Sequence, residues 1–190
     1  MTDPVTIGPL TPDRWPDFET LFGPNGACAG CWCMWWRLKR RDFEARAGAA
    51  NKAAFRAVVE AGPPPGLIAW CDGQPVGWCQ VTPRDHLPVL DRSRHLKRVD
   101  DVPVWSLSCF FVKAGQRRAG LTERLIAAAI DFARDQGATV LEAYPWDTAE
   151  KKSTATIFTG VASTLIRAGF TEAARRVPHR PILRYDLTGG

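Results

Sequence analysis

The sequence lacks any long apolar run, and this absence argues against a membrane-spanning protein. No stretch approaches the roughly 18 uninterrupted apolar residues that a membrane-spanning helix needs. The first residues, 1–4, also lack the basic-then-apolar order of a secretion signal. No low-complexity tract, internal repeat or linker interrupts the 190 residues, of which 45% are apolar. We therefore expect one globular domain, spanning residues 1–190, in the cytoplasm.

The sequence also lacks a strong excess of charge of one sign. Its 25 basic and 20 acidic residues give a net charge of +5. The basic residues gather at 37–41, 84–98, 117–118 and 175–184 instead of forming one arm. This modest excess suits an anionic ligand. No helix-turn-helix, zinc-finger or aromatic RNA-reading signature is present, so we expect neither a nucleic acid nor a membrane as partner.

Metal-ligand spacing is incomplete, although the chain contains six cysteines. Cys28, Cys31 and Cys33 have the short spacing of a thiolate site, but no second Cys/Cys or His/His pair follows at the distance found in zinc fingers. We therefore expect no metal, with zinc at these three thiols as the alternative. The favoured interpretation is reduced thiols beside the neighbouring tryptophans, because disulfides are rare in the cytosol.

Apolar runs, glycines and prolines predict the order of the elements. Strands are expected at Val5–Leu10, Leu67–Cys71, Val76–Val81, Val104–Val112, Thr139–Tyr144, Thr171–Arg176 and Ile182–Leu187. Helices are expected after the cap Thr11, in a stretch ending at Ala61, and at about Thr122–Gln136 and Ala162–Ala168. A long charged connection, 85–103, is expected to be partly helical. The order strand, loop, helix, strand between residues 104 and 144 is typical of a right-handed parallel crossover.

The loop between the fourth predicted strand and the following helix carries the chemistry. A loop that leaves a central strand and enters a helix directs several free backbone N–H groups at one point, where the helix dipole adds partial positive charge. Arg117 and Arg118 add charge, and Gly120 allows a ligand to approach the backbone closely. These features favour a phosphate-binding turn.

Here the sequence resembles the GNAT superfamily of acetyl-CoA-dependent N-acetyltransferases, in a bacterial subgroup of unknown substrate. The family's pyrophosphate loop reads Arg/Gln-x-x-Gly-x-Gly/Ala, and residues 117–122 match it except that Thr122 replaces the last small residue. The resemblance implies an α/β (mixed α+β) fold with helices on both faces. Its central mixed sheet would be mostly antiparallel, with one parallel, splayed strand pair. It also implies acetyl-CoA as co-substrate.

The resemblance further implies a cofactor site on two elements. Backbone groups of the central strand would pair with the pantetheine arm like an added strand, and the loop and helix start would hold the diphosphate. The residues expected to bind the cofactor are Phe110, Phe111, Val112, Arg117, Arg118, Ala119, Gly120, Leu121, Thr122 and Glu123.

The acid that many family members use is missing. Their proton donor is a tyrosine four residues before a Gly-Phe pair, and Leu165 stands at that position. Glu142 and Tyr144 are our candidate catalytic residues, because side chains two apart on a strand point to the same face. The alternative is structural, with a salt-bridged Glu142 and a packed Tyr144. Cys109 is a weaker nucleophile candidate, because a thiol in an apolar strand is usually inert.

Three tryptophans are the candidate substrate-binding residues. Trp35, Trp36 and Trp146 lie in loop-adjacent segments and are expected to line an acceptor pocket. We therefore expect an N-acetyltransferase that acts on a primary amine of a small molecule, such as a toxic or antibiotic-like metabolite. The alternatives are a peptide or protein amine as acceptor, and a module that binds acyl-CoA without catalysis. The chain is expected to be a monomer or a homodimer.

Overall fold

Seven strands form one sheet in the order β1-β2-β3-β4-β5-β7-β6 in the computed structural model, which describes residues 5–116, 120–149, 153 and 155–189. The strands are β1 (Val5–Pro9), β2 (Gly66–Cys71), β3 (Gln74–Pro83), β4 (Trp105–Val112), β5 (Val140–Ala143), β6 (Thr171–Arg175) and β7 (Pro181–Asp186). All neighbouring pairs are antiparallel except β4 and β5. The expected mixed sheet is confirmed, with strand ends within two residues of the prediction.

Six α-helices accompany the sheet in the described parts of the chain. They are α1 (Trp15–Phe22), α2 (Arg40–Ala45), α3 (Ala49–Ala61), α4 (Val89–Arg92), α5 (Leu121–Asp135) and α6 (Ala162–Arg167). The helical content expected in the connection 85–103 is confirmed by α4 and by the 3-10 turn Arg84–His86. None of the described helices combines enough length and apolar character to cross a bilayer.

The start of the first helix differs from the prediction. Thr11 stands at the cap position, but its hydroxyl makes no capping hydrogen bond, and a 3-10 turn at Pro12–Arg14 precedes α1. The Thr11 hydroxyl instead lies near the carboxylate of Asp13 and lowers its pKa. The helix α1 therefore begins at Trp15, four residues after Thr11.

Apolar clusters lie on both faces of the sheet. One face packs against α5 and α6, and its cluster includes Leu107, Leu121, Leu125, Ala129, Leu141 and Leu165. The other face packs against α1 and α3, and its cluster includes Phe18, Phe22, Trp32, Phe55, Ile68 and Trp78. The expected arrangement of helices on both faces is therefore confirmed, and the sheet is held between two apolar layers.

The hairpin between β2 and β3 forms as its turn sequence predicts. Asp72 has a φ of 49° and Gly73 a φ of 72°. A two-residue hairpin turn with positive φ at both positions matches the twist of the strands, and Asp-Gly is one of the pairs that tolerate this conformation best. The hairpin places the buried strand β3 beside β4.

The central strand β4 is longer than its parallel neighbour β5. Only Trp105, Ser106 and Leu107 of β4 pair with β5, which ends at Ala143. The remaining half of β4, as far as Val112, keeps β3 on one side but separates from β5 on the other. The predicted splay of these two strands is confirmed, and it opens the sheet next to the N-terminus of α5.

Candidate active site

A cleft of about 980 Å³ lies where β4 and β5 separate. All of the predicted cofactor residues that the structure describes line it: Phe110, Phe111, Val112, Gly120, Leu121, Thr122 and Glu123. The three tryptophans predicted to bind substrate, Trp35, Trp36 and Trp146, line the same cleft. The other predicted cofactor residues, Arg117, Arg118 and Ala119, lie outside the described residues. The fold thus brings distant parts of the sequence to one site.

The first turn of α5 lines the cleft with backbone N–H groups that have no acceptor inside the helix. The N–H of Arg124 bonds to the carbonyl of Gly120 at 3.2 Å, so the N–H groups of Leu121, Thr122 and Glu123 have no acceptor within the helix. Gly120 has a φ of 71°, and a Cβ there would meet no atom within 4 Å. Glycine is therefore required for its backbone conformation. Unpaired donors at the positive end of a helix dipole can bind an anion.

One backbone N–H on the edge of β4 that faces the cleft already makes a hydrogen bond. The N–H of Phe110 donates to the carbonyl of Phe158 at 2.6 Å. The segment 155–161, which we call the slot segment, is also tied to the end of β5, because the N–H of Trp146 bonds to the carbonyl of Gly160 at 2.9 Å. The expected pairing of Phe110 with a pantetheine arm therefore requires exchange of the Phe158 bond.

Aromatic rings form one wall of the cleft. Trp36 lies 6.0 Å from the ring of Phe158, and Trp35 lies 5.2 Å from the ring of Phe43. The indole N–H of Trp36 donates to the carbonyl of Ser108 at 3.1 Å. This bond fixes the wall to β4 at a register shift, where Gln80 pairs with Cys109 but Val81 pairs with Leu107. A bulge of this kind changes the direction of neighbouring side chains.

A glutamine on β3 was missed by the sequence reasoning. Gln80 lines the cleft, and its side chain is fully buried. Its Nε2 donates to the hydroxyl of Ser108 at 2.9 Å, while its Oε1 has no hydrogen-bond partner among the described residues. An amide in an otherwise apolar strand is the sequence signal that could have identified it. A buried acceptor without a donor is costly unless a ligand supplies one.

The cysteine-rich segment contributes a strained part of the wall. Ala27, Ala29, Trp32 and Cys33 have φ values of 67°, 49°, 46° and 57°, a region that side chains rarely adopt. Strain of this kind tends to occur at functional sites. The ring of Trp32 is buried in the core, whereas Ala27 and Ala29 line the cleft.

Two thiols of this segment, Cys31 and Cys33, are packed and stay protonated at neutral pH, whereas Cys28 is exposed. Burial raises the pKa of Cys31 to about 12 and the pKa of Cys33 well above its ordinary value. The Cys33 sulfur accepts the indole N–H of Trp78 at 2.9 Å and lies 3.9 Å from the sulfur of Cys109. Among the residues that the structure describes, no group of three or more His, Cys, Asp or Glu side chains is arranged to hold a metal ion.

Glu142 and Tyr144 lie beside each other, but away from the described lining of the cleft. The phenol of Tyr144 donates to Oε1 of Glu142 at 2.9 Å, as expected for side chains on the same face. Arg84 contacts Oε1 of Glu142 at 2.8 Å, and Arg184 contacts Oε2 at 2.8 Å. Burial, followed by the charge of Glu142, raises the pKa of Tyr144.

Both oxygens of Glu142 are thus neutralised by arginines, and only 1% of its surface is exposed. A carboxylate in this state is a poor base for a substrate in the cleft, because proton uptake would break two buried ion pairs. The geometry favours the structural alternative that the sequence left open. The catalytic assignment of Glu142 and Tyr144 stays a prediction.

Leu165 stands where the resemblance described above would place a tyrosine. Leu165 is fully buried in the core between α6 and the sheet. The chain has two tyrosines, and neither is among the described residues that line the cleft. A proton donor for a leaving thiolate must therefore come from another group or from water.

Solved structures share the fold at low sequence identity. A mutant agmatine N-acetyltransferase in its apo form is 14% identical, with a TM-score of 0.57 over 96% of this chain and 98% of its own. The polyamine N-acetyltransferase of Drosophila melanogaster is 13% identical, with a TM-score of 0.56 over 95% of this chain and 98% of its own. The PaiA N-acetyltransferase of Thermoplasma acidophilum, solved with coenzyme A, is 12% identical, with a TM-score of 0.53 over 96% and 99%.

The family can be assigned from the sequence itself. No curated protein matches the chain in sequence. Residues 32–155, which make up more than half of the chain, match an established acetyltransferase family. This range contains Trp35 and Trp36 of the aromatic wall, the β2–β3 hairpin, β4, α5 and β5. The chain belongs to the acetyltransferase (GNAT) family.

Proposed function

We propose that this protein transfers an acetyl group from acetyl-CoA to the primary amine of a small molecule. The observation that carries the proposal is the meeting of the first-turn N–H groups of α5 with the part of β4 that has separated from β5, in one cleft. Two structural neighbours are named as enzymes acting on agmatine and on polyamines, and a third was solved with coenzyme A. Their names support a small amine as acceptor.

Two parts of a bound coenzyme A, its diphosphate and its pantetheine arm, are assigned to residues of the cleft. The N–H groups of Leu121, Thr122 and Glu123 are the donors proposed for the diphosphate. Arg117 and Arg118 are proposed, from the sequence alone, to add charge there. The backbone of Phe110, Phe111 and Val112 is proposed to pair with the pantetheine arm once the Phe158 carbonyl has exchanged. When bound, acetyl-CoA supplies an activated acetyl group.

The inner part of the cleft is proposed to receive the amine. The unpartnered Oε1 of Gln80 can accept an N–H of the acceptor, and the rings of Trp35 and Trp36 exclude water around it. Transfer forms a bond between the amine nitrogen and the acetyl carbon and breaks the C–S bond of the thioester. The proton that the amine loses passes to water, and water protonates the released thiolate, so that the reaction balances.

A second candidate function is an acyl-CoA-binding module without catalysis. It is favoured by the buried Leu165 at the position of the usual tyrosine and by a described cleft lining without tyrosine or histidine. This alternative keeps the cofactor site and removes the chemistry. Binding and turnover must therefore be measured separately.

The test is free-thiol release from acetyl-CoA across a panel of amines and one lysine-containing peptide, together with calorimetric titration of acetyl-CoA. We expect saturable binding and thiol release with at least one small amine. Binding without release on any acceptor would favour the module, and release with the peptide alone would favour a protein acceptor. If acetyl-CoA did not bind, both functions would be excluded.

A further inference from the structure

An arginine in the connection between β6 and β7 forms part of the cleft wall. Arg180 lines the cleft, and its guanidinium carbon lies 4.7 Å from the centre of the Trp146 ring. The ring of His179 stacks against the same tryptophan at 5.1 Å with an interplanar angle of 14°. The aromatic contacts hold the cation at the cleft, and its five N–H donors have no acceptor among the described residues.

Arg180 differs from the other arginines of this hairpin in having no polar partner. Arg175 pairs with Asp147 at 2.8 Å, and Arg184 pairs with Glu142 at 2.8 Å. Arg176 donates to the carbonyls of Lys97 and Arg98. Within the described residues, the guanidinium of Arg180 makes neither an ion pair nor a hydrogen bond. A half-buried cation without a counterion is destabilising unless a ligand brings a negative charge.

The physical state of Arg180 supports this interpretation. Burial lowers the pKa of its guanidinium to about 10, so the group still carries its charge at neutral pH. The other described charged side chain of the cleft lining is Glu123, in the first turn of α5. A second positive charge on the acceptor would be repelled by Arg180, and the neighbouring carboxylate of Asp147 is already paired with Arg175. An anion would find at Arg180 a fork of donors suited to a carboxylate.

On the proposed function, we infer that the acceptor is an amine that also carries a carboxylate, and that Arg180 binds this carboxylate. The aromatic wall formed by Trp35, Trp36 and Phe158 then receives an apolar part of the same molecule. An apolar amino acid has this combination of an amine, an anion and an apolar side chain. Arg180 is thus a specificity-determining residue that selects against amines with a second cation.

The inference is tested with acceptors that differ only in the carboxylate. We compare kcat/KM for L-phenylalanine, for 2-phenylethylamine and for agmatine in the wild-type enzyme and in Arg180→Gln. The wild type is expected to prefer phenylalanine by about tenfold or more. Arg180→Gln should raise the KM for phenylalanine by about the same factor and leave 2-phenylethylamine within about twofold, and Arg180→Lys should restore part of the loss.

Two controls keep the result specific. Arg41→Gln removes an exposed arginine of α2 and changes net charge equally, so it should leave the preference unchanged. The Kd for acetyl-CoA should be the same in wild type and Arg180→Gln, and melting temperatures should show that the variants fold. A large loss of acetyl-CoA affinity in Arg180→Gln would assign this arginine to the cofactor and overturn the inference.

The outcomes separate the inference from the proposed function. Equal or better use of 2-phenylethylamine or agmatine would overturn the inference and leave the acetyltransferase activity intact. If no amine were acetylated, the proposed function would fail, and the inference would be decided by binding of N-acetyl-L-phenylalanine against N-(2-phenylethyl)acetamide to the protein saturated with coenzyme A. Preference for the carboxylate, lost in Arg180→Gln, would support it, and equal binding would overturn it.

Discussion

At the scale of single residues, Glu142 joins two halves of a buried polar network. Its two oxygens bind Arg84 and Arg184, and these arginines also bind Asp91 and Asp100. Breaking a buried ion pair leaves an uncompensated charge, whereas an exposed pair contributes little. The network therefore accounts for a buried carboxylate without any catalytic role.

We expect Glu142→Gln to lower the free energy of unfolding by about 3 kcal/mol, because both arginines lose a buried counterion. The pH dependence of kcat should keep its shape if the role is structural. Glu172→Gln is the matched control, since its partner Arg175 forms an exposed pair, and it should change stability by about 1 kcal/mol at most. Denaturant titration and pH–rate profiles measure the two effects. A wild-type stability with an altered profile would restore the catalytic prediction.

Gln80 is the residue whose effect should be confined to the acceptor. Replacing it by leucine removes the unpartnered acceptor and one hydrogen bond to Ser108. We expect Gln80→Leu to raise the KM for the amine by about tenfold, equivalent to about 1.4 kcal/mol, with an unchanged Kd for acetyl-CoA. Steady-state kinetics and calorimetry provide both values. An unchanged KM would remove Gln80 from the acceptor site.

At the scale of elements, the slot segment and a pantetheine arm compete for the same edge of β4. We expect acetyl-CoA to change amide hydrogen exchange within residues 155–160, because the carbonyl of Phe158 must leave the N–H of Phe110. Exchange in α3, none of whose residues lines the cleft, is the internal control. Saturating acetyl-CoA without any change in 155–160 would contradict this exchange.

The elements that the sequence predicted well are those with local signals. The Asp72-Gly73 turn needs two positive φ values, and the start of α5 follows a glycine with a φ of 71°. β4 is recognisable as a continuous apolar run. Each of these features depends on residues that are neighbours in the chain, so the hairpin, the central strand and the start of α5 could all be placed in advance.

The contacts that the sequence did not predict are made between distant segments. The Phe158 carbonyl reaches Phe110 from a segment with little regular structure. Arg84, which precedes the 85–103 connection, donates to Glu142, and this contact neutralises one oxygen of the carboxylate. Nothing in the spacing of these residues reveals the pairing, because it is set by the path of the loops over the sheet.

At the scale of the whole molecule, ionic contacts tie the long connection to the sheet and should make stability depend on acid. The hydrogen bond from Arg184 lowers the pKa of Asp100 below its ordinary 3.8. A depressed carboxyl pKa gives stability that is present above the unfolded value and is lost as the pH falls through the folded value. The connection should therefore loosen below about pH 4.

We expect the denaturant concentration at the midpoint of unfolding to be lower at pH 3 than at pH 6. The decrease should be smaller in Asp100→Asn, because the amide takes up no proton at this site. Asp101→Asn removes the exposed neighbouring acid and is the control. Chemical denaturation at both pH values measures the difference. Equal acid sensitivity of the wild type and Asp100→Asn would show that this contact contributes nothing.

The proposed binding of acetyl-CoA depends on its diphosphate being held at the N-terminus of α5. Gly120 precedes the first-turn N–H groups of α5, and a Cβ there would meet no described atom within 4 Å. A glutamate at this position would bring a negative charge beside those N–H groups. Gly120→Gln and Gly120→Glu share the same cost of a positive φ and differ only in that charge. The difference between them therefore isolates electrostatic repulsion of the diphosphate from any effect on the fold.

The most direct measurement is the Kd of acetyl-CoA for these two variants by calorimetry. At an effective dielectric constant near 20, repulsion at ~7 Å is about 2 kcal/mol, so we expect Gly120→Glu to bind about 30-fold more weakly than Gly120→Gln. The difference in Kd between the two variants should decrease at high salt. Equal affinities for the two variants at low salt would contradict the placement of the diphosphate at this helix.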